Sequence, residues 1–547
     1  MRVGGRLKAV SNVMASATRI AKLRRCARLA LSWILLATGV ALLQGCASIG
    51  QSHNPPSAAI PIAAGDELAR LAQQDGLGED GSAFRPLAMS AYALDARLTV
   101  VRHARHSLDI QYYLLKDDDT GRLFLREVRD AALRGVRVRL LVDDLYTASS
   151  DSLLLDFSAT PNVEVRLFNP FPAGRALDVT RWGLSLLDFA RLNHRMHNKL
   201  LIADGAMAIV GGRNIADEYF LRGTSGNFVD FDLLTIGAVV PALAATFDTY
   251  WNSPRVFRFS ELESDLVDAA TRQARFEGLT KASLATAPHL LPTDRDLLDY
   301  GALSTDIARA PLKMLRGTIR VLADDPEKVS GRAEAGADKT TVTAQVLSAI
   351  TSAKEDLLLV SPYFVPGKVG MRNIKQGRDQ GVTITLVTNS LAANDEPYVS
   401  VAFARYRKQL LEMGVQIYEI SPEVLQARDD DHRQFSTASG RLHVKGAVID
   451  RRITFVGSMN MDFRSSRENT EIGLLIDSPQ LAADVIGLVT QLRSMGTYRL
   501  RLSPTNEVQW VESRDGKETV YDDEPEVDVL TRLKILMFSP FISESLL

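Results

Sequence analysis

Arg195–Asn214 reads RMHNKLLIADGAMAIVGGRN, and Arg441–Asn460 reads RLHVKGAVIDRRITFVGSMN. His197, Lys199, Asp204 and Asn214 in the first stretch lie 246 residues before His443, Lys445, Asp450 and Asn460 in the second. The same offset separates Gly135 from Gly381, each of which closes a predicted helix ahead of an apolar strand. These are Gly121–Leu133 before Val136–Val142, and Met371–Gln380 before Val382–Val387. Helical spacing also marks Ala91–His106 and Val346–Lys354, and strand composition marks Ser107–Leu115 and Asp356–Val365. A period this long means two whole α/β domains rather than a solenoid of short units.

Within each motif, residues i and i+2 of a strand face the same side. His197 and Lys199 therefore project together, while Leu200 and Ile202 face a core. Asp204-Gly205 is a turn, and Met207–Val210 returns toward Gly211, Gly212 and Asn214. Gly212, Ser458 and the backbone around them allow close approach to an oxyanion. Lys and Asn supply donors for phosphate oxygens, and His can attack phosphorus or move a proton near neutral pH. Two His flanking one phosphorus divide the work: one attacks in line and the other protonates the leaving alkoxide. The lysines neutralise the phosphoryl oxygens, so the chemistry needs no metal and no cofactor. Asn214 and Asn460 can also cap the helices that follow. Turn geometry favours a structural task for Asp204 and Asp450. His194, whose repeat partner is Gly440, reads as a surface histidine, and Asp143-Asp144, opposite Asn389-Ser390, as loop structure near the cleft. Tyr112, Tyr113, Tyr363 and Phe364 lie in equivalent strands, as core or as a lining for acyl chains.

The doubled HxKxxxxD, followed by GGxN or GSxN, resembles the phospholipase D superfamily over nearly all of residues 85–500. The likeness is greatest to bacterial cardiolipin synthases of the C type, through DIQYYLLKDDDTGRLFLREVRDAALRGVRVRLLVDDL, LVTNSLAANDEPYVSVAFARYRKQLLEMGVQIYEI and FVGSMNMDFRSSRENTEIGLLID as well as the first motif. The resemblance implies two tandem domains, each a mixed β-sheet flanked by helices, related by a pseudo-two-fold and sharing one cleft. It implies a phosphatidyltransferase that joins phosphatidylglycerol with phosphatidylethanolamine, or with a second phosphatidylglycerol, through a phosphohistidine. It places His197, His443, Lys199, Lys445, Asp204 and Asp450 in the catalytic set, with His197 as nucleophile. Asn214, Asn460, Gly212 and Ser458 would bind phosphate. It also implies an acid downstream of each motif to hold that motif's His: Glu471 in the second half, and Asp230 in the first, with Glu218 as a second choice. A phospholipase D or other phosphodiesterase of the same chemistry, and an envelope scaffold with a spent site, are the competing readings.

The ends carry different signals. Residues 1–45 hold eight Lys or Arg and no acid, then an apolar run Leu29–Leu43 of fifteen residues, too short for a span. Leu43-Gln44-Gly45-Cys46 resembles a bacterial lipobox, which implies a cleaved signal peptide and lipidation at Cys46. Ala47 after it favours the outer membrane, facing the periplasm; Met14 is an alternative start. Without the leader the chain has 56 basic and 66 acidic side chains, a net of −10. That disfavours nucleic acid as a partner and leaves phospholipids and a membrane surface. Cys26 and Cys46 are the only cysteines, so the body has no disulfide and no thiolate metal site. The expected divisions are 1–45 signal peptide, 46–80 flexible tether, 81–258 first domain, 259–310 connection, 311–510 second domain and 511–547 tail. Leu530–Phe541 in that tail could lie on a membrane or dock on the core. Such a bilobal enzyme would be competent as a monomer.

Overall fold

The computed structural model describes residues 52, 54–171 (except 74–76 and 79), 189–262, 267–281, 295–309, 311–330, 339–425, 438–514 and 516–528, with scattered positions to 537. The leader, Cys46 and most of the tail beyond 528 lie outside the described residues. Two similar mixed sheets form the body. The first comprises β1 (Ser82–Leu87), β2 (Ser107–Tyr112), β3 (Arg137–Asp143), β4 (Val163–Phe168), β5 (Lys199–Ala203), β6 (Met207–Gly211), β8 (Asp232–Gly237), β9 (Val256–Arg258) and β10 (Leu315–Arg316). Strand β7 (Gly226–Val229) stands outside it. The spatial order is β10-β1-β8-β6-β5-β2-β3-β4-β9, with β2, β3 and β4 parallel.

The second sheet comprises β11 (Thr318–Ala323), β12 (Asp356–Val360), β13 (Thr383–Asn389), β14 (Gln416–Ile420), β16 (Gly446–Ile449), β17 (Ile453–Gly457), β18 (Ile472–Asp477), β19 (Thr497–Leu502), β20 (Val508–Arg514) and β21 (Lys517–Tyr521). Its order, β11-β18-β17-β16-β12-β13-β14-β19-β20-β21, repeats the first over eight strands. Strand β15 (Ser439–Leu442) lies outside this sheet and pairs in parallel with β7 of the first half. Helices Asp119–Leu133 and Gly367–Asp379 end at Gly135 and Gly381, whose φ angles of +100° and +89° make the left-handed stops that the sequence predicts.

The halves share a core. Leu200, Ile202, Val210 and Leu233 of the first sheet pack in one cluster with Val456, Ile472, Leu474 and Ile476 of the second. Each fully buried side chain of this kind is worth about 1.5–3 kcal/mol, so separating the halves would strip both.

The expected divisions need four corrections. Residues 54–72 are not a flexible tether. Asn54 donates to Val256 O (2.6 Å), Ala59 N to Asp248 Oδ2 (2.8 Å), and helix Glu67–Ala72 buries Leu68 and Leu71 in the first core. The physical reason is a set of arginines that need acceptors. Arg137 donates to Ala58 O (2.9 Å), Arg139 to Ser57 O (3.0 Å) and Arg166 to Pro55 O (3.2 Å). The described parts of the 259–310 connection pack on the first half, where Glu277 pairs with Arg126 and Arg129 (2.7 Å each) and Asp306 with Arg85 (2.9 Å). Leu315–Arg316 joins the first sheet although it lies within 311–510, the stretch expected to form the second domain. Finally, β20 and β21 carry the second sheet past residue 510, and Glu526 accepts from Ser421 (2.9 Å) and Tyr498 (2.7 Å), so 511–526 is not a free tail.

Arg139 is buried between Asp109 and Asp248 (2.7 Å each) and lies 4.7 Å from the Phe247 ring centroid. Arg139→Met leaves Asp109 with only the Arg137 guanidinium, 3.8 Å away, and breaking a buried pair costs about 3–5 kcal/mol. Thermal unfolding should show a clearly lower Tm for this variant, while Arg102→Met at the exposed Arg102–Glu127 pair should leave Tm nearly unchanged.

Candidate active site

The hydrogen bonds that aim the two motif histidines cross between the halves. His197 Nδ1 lies 3.0 Å from Glu471 Oε2, and His443 Nδ1 lies 2.6 Å from Asp230 Oδ2. Each acid was expected behind the His of its own half, so the assignment is corrected: the acids are the right ones, but exchanged. Backbone pairing is the reason. β7 runs directly into Asp230 and pairs with β15, which runs into His443, and His443 N donates to Val229 O (2.7 Å). The other half repeats this on a smaller scale: His197 N donates to Thr470 O (2.9 Å), and Thr470 N to Arg195 O (2.8 Å). Glu218, the second choice, pairs at the surface with Lys116 (3.3 Å), and Asp232 is held by Arg97 and Arg213 (2.9 Å each).

With Nδ1 of each ring engaged, Nε2 is the atom left for chemistry. The rings are nearly covered, His197 at 7% and His443 at 5% exposure. Burial, and then the neighbouring lysine of its own motif, pushes His197 down to about 4 and His443 well below its ordinary value. Both imidazoles are therefore neutral at pH 7. Burial alone would raise Glu471, but His197, Lys199 and the Ser458 hydroxyl outweigh it and hold the carboxylate below its usual range. Asp230 differs: burial pushes it up to about 7 against the pull of Lys445 and Arg213.

Lys199 and Lys445 are buried, and each ammonium donates to the carbonyl of its own motif's His (2.7 and 2.8 Å). Two N–H donors per ammonium remain for an anion. Among the described residues, no three acids or histidines converge as metal ligands would.

Other expected phosphate contacts have different tasks. A Cβ on Gly212 would fall 2.1 Å from Asp230 Oδ1, so this glycine makes room for the acid. Its counterpart Ser458 donates to Glu471, as does Ser465 (2.7 Å). Gly212 and Ser458 thus serve the carboxylates rather than a phosphate. Asn214 accepts from Leu114 N (3.3 Å) and donates to the Tyr219 hydroxyl (2.8 Å), whereas Asn460 Oδ1 is buried without a partner among the described residues. Asp204 and Asp450 stand at the turns. Asp204 accepts from the backbone N–H of Arg105, His106 and Ser107 (2.7–2.9 Å), and Asp450 from Lys354, Glu355 and Asp356 (2.8–3.1 Å). Their place in the catalytic set is corrected: they fasten the start of the strand paired beside each motif, β2 and β12. Asp143 accepts from Met196 N and Asn389 from Leu442 N (2.8 Å each), which fixes the residue ahead of each His. His194 is not a free surface residue, since its Nδ1 lies 3.0 Å from Glu468.

Aromatic walls enclose both rings. Tyr113 meets His197 edge-on at 4.9 Å, and Lys199 Nζ lies 5.1 Å from its ring centre. Tyr219 and Phe228 contact His443 at 5.1 and 4.9 Å. Tyr112 and Phe364 are core instead, and Tyr363 donates to Asp395 (2.7 Å). Sequence reading missed Tyr219 and Phe228 because they lie between Asn214 and Asp230, where the first half has five more residues than the second and the repeat gives no partner.

The family model described as "Cardiolipin synthase, PLD-like domain" matches residues 98–251 and 346–492. The chain belongs to this phospholipase D-like family. It is similar to cardiolipin synthase C of Escherichia coli K12, 34% identical over 461 residues, covering 83% of this chain and 94% of that one. It is 33% identical to an uncharacterized protein of Helicobacter pylori, covering 72% and 76% of the two chains. Among solved structures, phosphatidylserine synthase from Haemophilus influenzae shares the fold, with a TM-score of 0.54 over 88% of this chain and 99% of that one, at 14% identity.

Burial pushes Lys445 down to about 8. The ammonium is charged below that pH and neutral above it, so an anion bound between the lysines should lose affinity as pH rises through 8. KM for a phospholipid substrate should climb above pH 8, and Lys445→Gln should lower kcat/KM about 10²–10³-fold at pH 7. A KM flat from pH 7 to 9.5 would contradict this.

Proposed function

We propose that this protein is a phosphatidyltransferase of the cardiolipin-synthase type, joining two phospholipids through a covalent phosphohistidine. The observation that carries this reading is the crossed pair of acid–histidine contacts, which leaves two oriented imidazoles beside two buried lysines. His197 Nε2 attacks the phosphodiester phosphorus, forming an N–P bond as the P–O bond to the headgroup alcohol breaks. The Asp230–His443 pair protonates the departing alkoxide. A second lipid's hydroxyl then gives its proton to His443 and attacks phosphorus, and the N–P bond breaks. Phosphatidylglycerol, joined to phosphatidylethanolamine or to a second phosphatidylglycerol, is the substrate pair.

The roles follow from the different acids. Glu471 stays anionic, fixes the Nδ1–H tautomer and leaves a lone pair on His197 Nε2 for attack. Asp230, at about 7, lets its pair with His443 hold an extra proton near neutrality, as a general acid requires. Lys199 and Lys445 donate to the non-bridging oxygens. Burial of both rings disfavours water as acceptor and supports transfer over hydrolysis.

The same reading places the body at a membrane. No helix among the described residues is long and apolar enough to cross one. Lipidation at Cys46 would supply the anchor, on the periplasmic side of the envelope. Asn54, docked on the first half, is eight residues further on, which limits the tether to about 30 Å.

Expression in a bacterial strain lacking cardiolipin, followed by lipid mass spectrometry, should show cardiolipin with this protein and none with His443→Ala. Phosphatidic acid in place of cardiolipin would make it a hydrolase. With labelled phospholipid, His443→Ala should retain label on His197; no label in that variant, with label trapped on His443 in His197→Ala, would reverse the roles.

A further inference from the structure

The two halves differ behind their catalytic histidines. Helix Val239–Trp251 packs Phe247, Tyr250 and Trp251 into the shared core, and the Tyr250 hydroxyl donates to Asp324 O (2.8 Å). The corresponding helix of the second half is Pro479–Ser494. A reversed cation–π pair sets the equivalence. Arg166 of β4 lies 4.1 Å from the Trp251 ring, and Arg493 lies 3.6 Å from the ring of Tyr418 on β14, the strand equivalent to β4. Trp251 thus matches Arg493, Tyr250 matches Leu492 and Phe247 matches Val489. Two large rings become two aliphatic side chains.

A cavity of about 240 Å³ occupies the vacated space, with Val489 and Leu492 in its wall. Leu442 and Val444, on either side of His443 in sequence, line it too, with Phe228, which packs on the His443 ring, and Asp230, which holds that ring. Polar side chains sit at one edge, at Arg295, Asp296 and Gln491, beside Leu297, which is 58% exposed. An apolar interior with a polar, open edge fits the tail of an amphiphile.

We propose that this cavity binds one acyl chain of a phospholipid, and that its filling supports the Asp230–His443 pair. The proposal rests on the reading of the protein as a phospholipid phosphatidyltransferase, which makes alkyl chains the apolar ligand it must handle. In the first half the large rings of Phe247 and Tyr250 are buried at the matching positions. Chain selection therefore acts on the His443 side.

The test is to put the rings back. Purified full-length Val489→Phe/Leu492→Tyr is compared with the parent on dihexanoyl and dioleoyl phosphatidylglycerol, each mixed with phosphatidylethanolamine of the same chain length, in detergent micelles. The parent should prefer the long-chain lipid. The filled variant should lose that preference, with the long-over-short ratio of kcat/KM falling about tenfold and Tm unchanged or higher. Leu492→Ala, which enlarges the cavity, guards against misfolding of the filled variant and should shift preference toward bulkier chains. An unchanged ratio in both variants, when folded, overturns the proposal. If the ratio is unchanged and the filled variant instead becomes newly cleavable by protease beyond Asp528, the chain's own apolar tail is the occupant and the proposal also fails. A parent inactive on both lipids would instead refute the functional reading itself.

Discussion

Glu471 holds His197 and Asp230 holds His443, so neither half carries a finished catalytic dyad. The main-chain pairs that make the exchange are short: β7 with β15 on one side, and Met196 with Thr470 on the other. A carboxylate hydrogen-bonded to Nδ1 fixes both the tautomer and the ring plane of a histidine. Exchanging the carboxylates makes docking of the halves a condition for chemistry. The shared core of Leu200, Ile202, Val456 and Leu474 holds that docking rigid, and burial of the lysines and histidines in it sets their protonation.

Duplication with divergence explains the rest of the site. Several matched pairs do one structural task twice: Asp204 and Asp450 at the turns, Asp143 and Asn389 behind the residue that precedes each His. Where they differ, the chemistry becomes directional. Glu471 sits in a cradle of two hydroxyls and stays anionic, while Asp230 lies against bare Gly212 and is pushed up by burial. Two groups that began as copies are thereby suited to opposite proton tasks. The cavity behind His443, filled by rings behind His197, is the same divergence at the level of packing.

Much of this is legible in the chain. A constant offset of 246 between paired residues announces two domains, and the i, i+2 spacing of His and Lys places both on one strand face. The helix stops at Gly135 and Gly381 have a local cause and were readable from it. The crossing of the acids was not, because a repeat in sequence says which residues correspond, not which copy each one touches. Register was lost between Asn214 and Asp230, the segment that forms β7 and contributes Tyr219 and Phe228. The docked segment at residues 54–60 was read as tether because its small polar residues have no pattern of their own. Its order comes from Arg137, Arg139 and Arg166, 79 to 111 residues away in sequence.

The central claim is that each histidine answers to the acid of the other half. Heteronuclear NMR of protein labelled with ¹⁵N at its eight histidines reads this directly from the imidazole nitrogens. Glu471→Gln should shift the His197 ring signals, assigned by their loss in His197→Ala, and leave those of His443 in place. Asp230→Asn should do the reverse. If Glu471→Gln moved His443 while His197 stayed unperturbed, the exchange would be contradicted and each half would own its dyad.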